Sequence, residues 1–481
     1  MHPLTRHSRR VWVVACSLFA LWLVAGSTLI AWQRATALPA APAERALVLS
    51  AEQRSRTPTD RYLEQLQLRL RDNPADLRAM VQYGHVLLQK ARETADPGYY
   101  NRAEAAFAKT LALDRQNVDA LLGQGSLALA RHDFATALRW GEQAQALAPD
   151  RAAVYGVIAD AQIELGRYDA AAATLQTMVD LHPDLAVYSR ISYLRELHGD
   201  IAGAIEAMTM AIDAGAPYPE NSAWTIVQLG MLHFNQGDLS AAEYEFQRAQ
   251  SIIPDYLPAL AGLARVRAGQ GRLEEALTLA AKPVEQLPLP AYVILYGELL
   301  EAAGRKPEAA QQFELVRALQ QLAAANGVVT DLEMALFEAD HGDPTRAVAL
   351  AEAARATRPS ILADDALAWA LLRAGRPAEA APLARRALRL GTRDARFHFH
   401  AGMIAAALGD RLGATAQLRE ALRINPAFSV RDASLARREL AALDARASDS
   451  EMRAGQSRGA ACWRWASQAG CCPAPPRWWY C

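Results

Sequence analysis

Small and apolar side chains recur along this chain on a long, regular interval. Ala103, Ala137, Ala171, Ala204, Ala242, Ala276, Ala309, Ala347, Ala380 and Ala414 follow one another at spacings of 34, 34, 33, 38, 34, 33, 38, 33 and 34 residues. Twelve residues before each of the last nine stands a second small residue: Gly125, Ala159, Ser192, Gly230, Ala264, Gly297, Ala335, Ala368 and Gly402. The spacing requires each such pair to touch, because two helices approach closely only where their side chains are small. Between the two come Gly166, Gly199, Gly237, Gly271, Gly304, Gly342, Gly375 and Gly409, each seven residues after its small partner. Glycine there predicts a helix end, since a C′ residue of positive φ carries no Cβ penalty. Pro149, Pro183, Pro254, Pro288, Pro359 and Pro426 stand twelve residues after their alanines and should mark the end of a second helix. The unit is helix, tight turn, helix, break.

Three units depart from this length. The first, around Gly84 and Ala103, holds seven extra residues that include Asp96, Pro97 and Gly98, which predicts a protruding loop. The fifth and eighth are longer by four residues, about one helical turn. Residues 218–221 read as a loop and residues 319–327 as a lengthened helix. Each unit buries its stripe only against neighbours, so both ends need caps. Thr59 to Asp72, with Tyr62, Leu66 and Leu70 inward, is the expected opening half-unit; Ser434 to Ala445, with Leu435, Leu440 and Leu443 inward, is the expected closing helix.

This pattern resembles the tetratricopeptide-repeat (TPR) family, whose unit carries small residues at its eighth and twentieth positions and proline at its thirty-second, and in particular bacterial membrane-anchored proteins of that family. The resemblance implies an all-α fold, a right-handed α-solenoid of stacked helix hairpins, with about ten repeats and their capping helices over residues 59–446. It further implies that the first helix of each unit lines a concave groove that receives a protein or peptide. On that basis the expected groove residues are Asp160, Glu164, Tyr193, Glu196, Trp224, Met231, Phe234, Asn235, Arg265, Glu298, Trp369 and Arg373, with Glu301, Arg396, Phe399 and Met403 in register with them. Mixed aromatic, methionine and charged side chains suit a protein-binding surface. Family members that clamp a C-terminal carboxylate use Lys and Asn, whereas the matching positions here are Val81, His85, Leu122, Ser126, Gly156 and Asp160.

The two ends follow other rules. No charged residue occurs from Val11 to Trp32, a length that covers a bilayer's hydrocarbon core of about 30 Å. Arg6, Arg9 and Arg10 precede it, and the positive-inside bias places the body on the far side. Residues 1–33 are therefore expected to be a basic N-terminus and transmembrane signal anchor, with a cleavable signal peptide ending near Ala35 and Ala37 as the alternative. Residues 34–58 read as a flexible stalk, and the localisation expected is the bacterial inner membrane, single-pass, with the repeats periplasmic. Residues 447–481 carry Cys462, Cys471, Cys472 and Cys481 among tryptophans; their spacing lacks the paired CxxC hooks of a zinc module, and a disordered tail is expected.

Charge and candidate chemistry narrow the function. A formal net charge of −1 gives no electrostatic hold on nucleic acid. His398 and His400 point to nearly opposite sides of one helix and cannot share an ion, so both should be structural. Gly123, Gly125 and Ala128 lie inside a repeat helix, with no preceding strand to make a dinucleotide site. Asp364 and Asp365 fall at a helix start, where acids complement the dipole. The expectation is a membrane-tethered interaction scaffold and not an enzyme. Its partners would be a protein or peptide ligand and, through the N-terminal helix, the lipid bilayer; no nucleic acid, small-molecule substrate, cofactor or metal is expected. The alternative is an accessory subunit of an envelope export or polysaccharide-assembly machine.

Overall fold

The structure, a computed structural model, describes residues 57–215 and 218–445. The anchor over residues 11–32, the stalk before residue 57 and the cysteine-rich tail lie outside the described residues. Among the described residues all regular structure is helical, and no helix is long and apolar enough to cross a membrane.

The chain divides into two compact units, residues 1–65 and 66–481. In the first, the described part is the start of helix α1 (Pro58–Asp72), closed by a reciprocal cap. Thr57 N–H donates to the Asp60 carboxylate at 3.0 Å and Asp60 N–H donates to Thr57 Oγ1 at 3.1 Å. Tyr62, expected inward, is exposed, whereas Leu66 is buried.

The second unit contains ten helix pairs: α2 (Leu77–Thr94) with α3 (Gly98–Leu113), α4 (Val118–Ala130) with α5 (Phe134–Leu147), α6 (Ala152–Glu164) with α7 (Tyr168–Leu181), α8 (Leu185–Leu197) with α9 (Ile201–Asp213), and α10 (Pro219–Asn235) with α11 (Leu239–Ile252). Then follow α12 (Leu257–Gly269) with α13 (Leu273–Gln286), α14 (Pro290–Ala302) with α15 (Lys306–Ala325), α16 (Asp331–His341) with α17 (Pro344–Thr357), α18 (Ile361–Arg373) with α19 (Pro377–Ala387), and α20 (Ala395–Ala407) with α21 (Arg411–Ile424). A final helix, α22, covers residues 432–445.

The ten periodic alanines are all at most 1% exposed, which places the small-residue seam inside the stack. Phe246 shows what the seam accommodates. Its ring is wholly buried between Gly230 of α10 and Gly262 of α12. Both positions lack a side chain because the ring fills the space a Cβ would take.

Eight of the ten turns inside the pairs take one of two forms. Asp133, Asp200, Asp238, Asp343 and Asp410 cap the second helix by accepting from a backbone N–H two or three residues on. In three other turns arginine replaces the cap, and Arg272, Arg305 and Arg376 each form a two-pronged pair with Glu275, Glu308 and Glu379. These exposed pairs contribute little to stability. The six prolines each lie two residues beyond the last helical residue of their pair.

Several expectations need correction. The seven extra residues of the first pair do not protrude: α2 runs 18 residues and α3 runs 16, joined only through residues 95–97. Ala95, at φ 54°, supplies the left-handed end that glycine supplies elsewhere. Residues 219–221 are helix and not loop, because Pro219 at the first helical position starts α10 a turn early. Gly342 ends α16 with φ −144°, unlike the positive φ of its counterparts. It has no Cβ because the Glu338 carboxylate occupies that space.

Candidate functional site

Three adjoining cavities lie along the inner surface made by the first helices of the pairs. The first encloses about 620 Å³ and is lined by Asp160, Tyr193, Glu196, Trp224, Met231 and Asn235, together with Arg190, Gln228 and Ser189. A second, of about 270 Å³, shares Tyr193, Glu196, Met231 and Asn235 with it and extends to Asn425 and Arg396. The third, of about 350 Å³, also contains Arg396 and adds Phe234, Arg265, Glu298, Asp340 and Asp432. Shared walls make the three a continuous channel, and nine of the twelve expected groove residues line it.

Polar side chains in the channel are held in place by one another. Arg190 grips Asp160 with two hydrogen bonds of 2.8 and 2.7 Å. Burial acts to lower the Arg190 pKa, but the Asp160 carboxylate outweighs it and holds the guanidinium above its ordinary value. Asn235 Nδ2 donates to Glu196 at 3.0 Å. Burial raises the Glu196 carboxyl above the usual range and that hydrogen bond only partly offsets it. The Tyr193 hydroxyl is likewise raised by burial, with a further push from the Glu164 charge. Trp224 is 40% exposed on the channel wall, a large apolar surface available to a ligand.

The remaining three residues are elsewhere. Trp369 is 2% exposed; its Nε1 donates to Asp340 at 2.8 Å and its ring stacks on His400 at 4.2 Å. Phe399, expected in register with the twelve, is wholly buried in the same cluster. Trp369 follows Ala368 as Arg265 follows Ala264, so its register is that of the channel residues, and it is buried because Asp340 and His400 pack against it. Arg373 is exposed, with its Nε donating to Ala339 O at 2.9 Å. Glu164 is paired with Arg358 across the superhelix, 194 residues away in sequence.

That pair belongs to a seam where the solenoid meets itself after one turn. The Tyr168 hydroxyl oxygen accepts from Ile361 N–H at 3.0 Å, and Asn425 Nδ2 donates to Phe234 O at 2.7 Å; the separations are 193 and 191 residues. His132 Nδ1 lies 2.8 Å from Val329 O, and Val329 N–H donates to Arg131 O at 2.9 Å. Apolar contacts reinforce it, since Ile361, Ala387 and Phe397 join the cluster of Leu165, Tyr168 and Leu197. A repeat near 193 residues is between five and six units, so the turns of the early pairs rest on the loops that follow the late ones. Burial raises the Glu164 carboxyl despite the opposing charge of Arg358.

Sequence reasoning missed Arg190, Arg358 and Asn425, which hold the channel in shape. Arg190 and Asp160 stand 30 residues apart, close to one unit, and that offset is the signal that could have paired them. Arg358 and Asn425 gave no local sign. Asp364 falls in the first turn of α18 as expected, but both it and Asp365 are buried and paired with basic side chains. Asp364 is buried and met by Arg355 at 2.7 Å and Arg389 at 3.0 Å, and Asp365 lies 2.9 Å from His400 Nδ1. Ser360, one turn earlier, is the residue that caps this helix. His398 and His400 do diverge: His398 Nδ1 contacts Gln417 at 2.7 Å.

Two family models described as tetratricopeptide repeat match the chain, one over residues 128–192 and the other over residues 88–152 and 366–427. Among curated proteins it is 26% identical over 282 residues to cellulose synthase 1 operon protein C of Komagataeibacter xylinus, covering 58% of this chain and 19% of that protein. It is also 26% identical over 212 residues to the protein CTR9 homolog of Arabidopsis thaliana, covering 42% of this chain and 19% of the relative. The matched stretches thus span about a fifth of either relative's length. Solved structures of similar arrangement include the APC/C hetero-tetramer Cut9-Hcn1, 16% identical with a TM-score of 0.37 over 76% of each chain. Another is the human IFIT1 dimer with PPP-AAAA, 18% identical with a TM-score of 0.43 over 66% of this chain and 73% of that one. Ten hairpins on a recurring small-residue seam, matched by the repeat models over residues 88–192 and 366–427, show that the chain contains tetratricopeptide repeats.

Proposed function

We propose that the protein is a membrane-tethered interaction scaffold that holds a polypeptide partner along the inner channel of its superhelix and carries out no catalysis. The observation that carries this reading is the channel itself: three adjoining cavities with Trp224 and Met231 presented beside fixed polar side chains. Exposed aromatic and thioether surface next to immobilised hydrogen-bonding groups supplies both contact area and orientation. The charge-free run from Val11 to Trp32 supports the tether, and the arginines before it support a periplasmic position for the repeats at a bacterial inner membrane.

The test is site-specific photo-crosslinking from position 224 or 231 in the full chain, in membranes of the source cell. A discrete polypeptide adduct is expected from both positions and none from a solvent-facing control such as position 412. Equal labelling from all three would refute the channel as the binding surface. Carbonate extraction tests the tether, since a spanning helix stays with the lipid.

A second reading makes the protein an accessory subunit of an envelope export or polysaccharide-assembly machine. The similarity to cellulose synthase 1 operon protein C favours it. Stoichiometric co-purification of a membrane enzyme supports this second reading over a scaffold for passing polypeptides.

A further inference from the structure

The third cavity contains two guanidinium groups that, among the described residues, have carboxylates nearby but none at hydrogen-bond or ion-pair distance. Arg265 makes one long hydrogen bond, 3.4 Å, to Ala261 O of its own helix. The Arg396 side chain has no hydrogen bond or ion pair among the described residues. The acids on the same wall are already engaged. Asp340 pairs with Arg431 at 2.6 Å and accepts from Trp369, Asp432 takes Arg431 Nε at 2.8 Å, and Glu298 lies 3.3 Å from His341 Nε2. Asp394, beside Arg396, turns back to accept from the Arg396 backbone N–H at 2.8 Å. What the wall offers an incoming molecule is therefore donor capacity.

We infer that Arg265 and Arg396 together receive a carboxylate carried by the polypeptide in the channel, an inference that rests on the peptide-binding reading above. A guanidinium is a planar fork matched to a carboxylate, and bonds to an ionised acceptor are roughly twice as strong as neutral ones. The two like charges also oppose each other. Burial holds Arg265 below its ordinary value, Glu298 partly restores it, and the Arg396 charge lowers it again, whereas at Arg396 burial is outweighed by the charges of Asp394, Asp365, Glu298 and Asp432, which hold it above its ordinary value. A carboxylate between them relieves that repulsion. Glu298 works the other way, repelling an anion, and sets an upper limit on affinity. The positions differ from those of the family's Lys and Asn clamp, which here hold uncharged residues or Asp160. The carboxylate can come from an Asp or Glu side chain or from a chain terminus.

The experiment titrates the full chain in detergent with N-acetylated pentapeptides. Pentaglutamate amide presents side-chain carboxylates, pentaglutamine with a free terminus presents a terminal one, and pentaglutamine amide presents neither. Binding of at least one acidic peptide more tightly than the blank is expected. It should weaken at least tenfold in Arg265→Gln and in Arg396→Gln and tighten in Glu298→Gln. No preference over the blank, or full affinity in both arginine variants, overturns the inference. Because Glu298→Gln removes a charge without touching the arginines, its tightening is diagnostic even where an arginine variant folds poorly. Crosslinking from position 224 separates this failure from the wider one: adducts retained in both arginine variants leave the channel reading standing, and adducts absent in the unmodified protein end both.

Discussion

A single methyl group at residue 230 tests the packing principle on which the array is built. A Cβ placed on Gly230 would lie 2.7, 2.9 and 3.2 Å from three carbons of the Phe246 ring, where carbon atoms rest at about 3.5–4.0 Å. The ring cannot retreat, because on its far side a Cβ at Gly262 would meet it at 2.6, 2.6 and 2.8 Å. Overpacking of this kind costs about 1–3 kcal/mol, and a ring held on both faces puts Gly230→Ala near the top of that range. Alanine returns about 1 kcal/mol of helix propensity. The expected net loss is about 2 kcal/mol, or roughly a 30-fold rise in local opening at about 1.4 kcal/mol per factor of ten. Because each unit contacts mainly its neighbours, the loss should be concentrated in α10, α11 and α12. Hydrogen exchange resolved by peptide is the assay. Phe246→Leu alone should also destabilise, by opening a cavity, but in the double variant the leucine makes room for the methyl. The two changes should therefore be non-additive by more than about 0.5 kcal/mol. Strict additivity, or protection unchanged in Gly230→Ala, would refute the claim that side-chain volume at this position sets the helix spacing.

Arg358→Ala removes the partner of Glu164 and leaves a carboxylate half-buried in the seam. Breaking a pair of this kind costs on the order of 3–5 kcal/mol when fully buried, so an increase in the radius of gyration by solution scattering is expected as the turn opens. An unchanged radius would mean the apolar contacts alone hold it. Tyr168→Phe takes away the acceptor for Ile361 N–H and should cost about 1–3 kcal/mol, read as faster exchange of that amide with its neighbours α17 and α19 unaffected. Glu196 predicts a pH dependence. Its pKa is raised in the folded state, so the folded form binds its proton more tightly, and its contribution to stability is greatest below the unfolded value and declines as pH rises through that value to the folded one. Glu196→Gln removes the ionisable group, and its melting temperature should exceed that of the unmodified protein at pH 7 and approach it near pH 4. Equal melting temperatures at both pH values would sink the assignment.

The features that could be read from the sequence are those whose cause is local or repeats once per unit. Ala242 is buried because its neighbour twelve residues earlier is Gly230, and both facts lie within one 34-residue window. The same holds for the prolines two residues past each second helix. Where a local cue had two meanings the longer-range packing decided. Pro219 fits a loop or a helix start, and Trp369 fits a groove or a core until the position of Asp340 and His400 is known.

The seam was beyond reach for a different reason. Glu164 and Arg358, Tyr168 and Ile361, and Phe234 and Asn425 are joined by the pitch of the whole superhelix, and pitch is the sum of small rotations at every hairpin. No residue states it. Yet the seam is what gives the channel its second wall, because it brings Asn425 and Arg396 of the last pair into one cavity with Glu196 and Asn235 of the fourth and fifth. The two lengthened first helices, α2 and α10, and the long α15 act on the same sum. Closure is therefore a global property set by the number and length of units. Shortening α15 by one turn, which shifts every later pair, should open the channel even though it deletes none of the residues that line it.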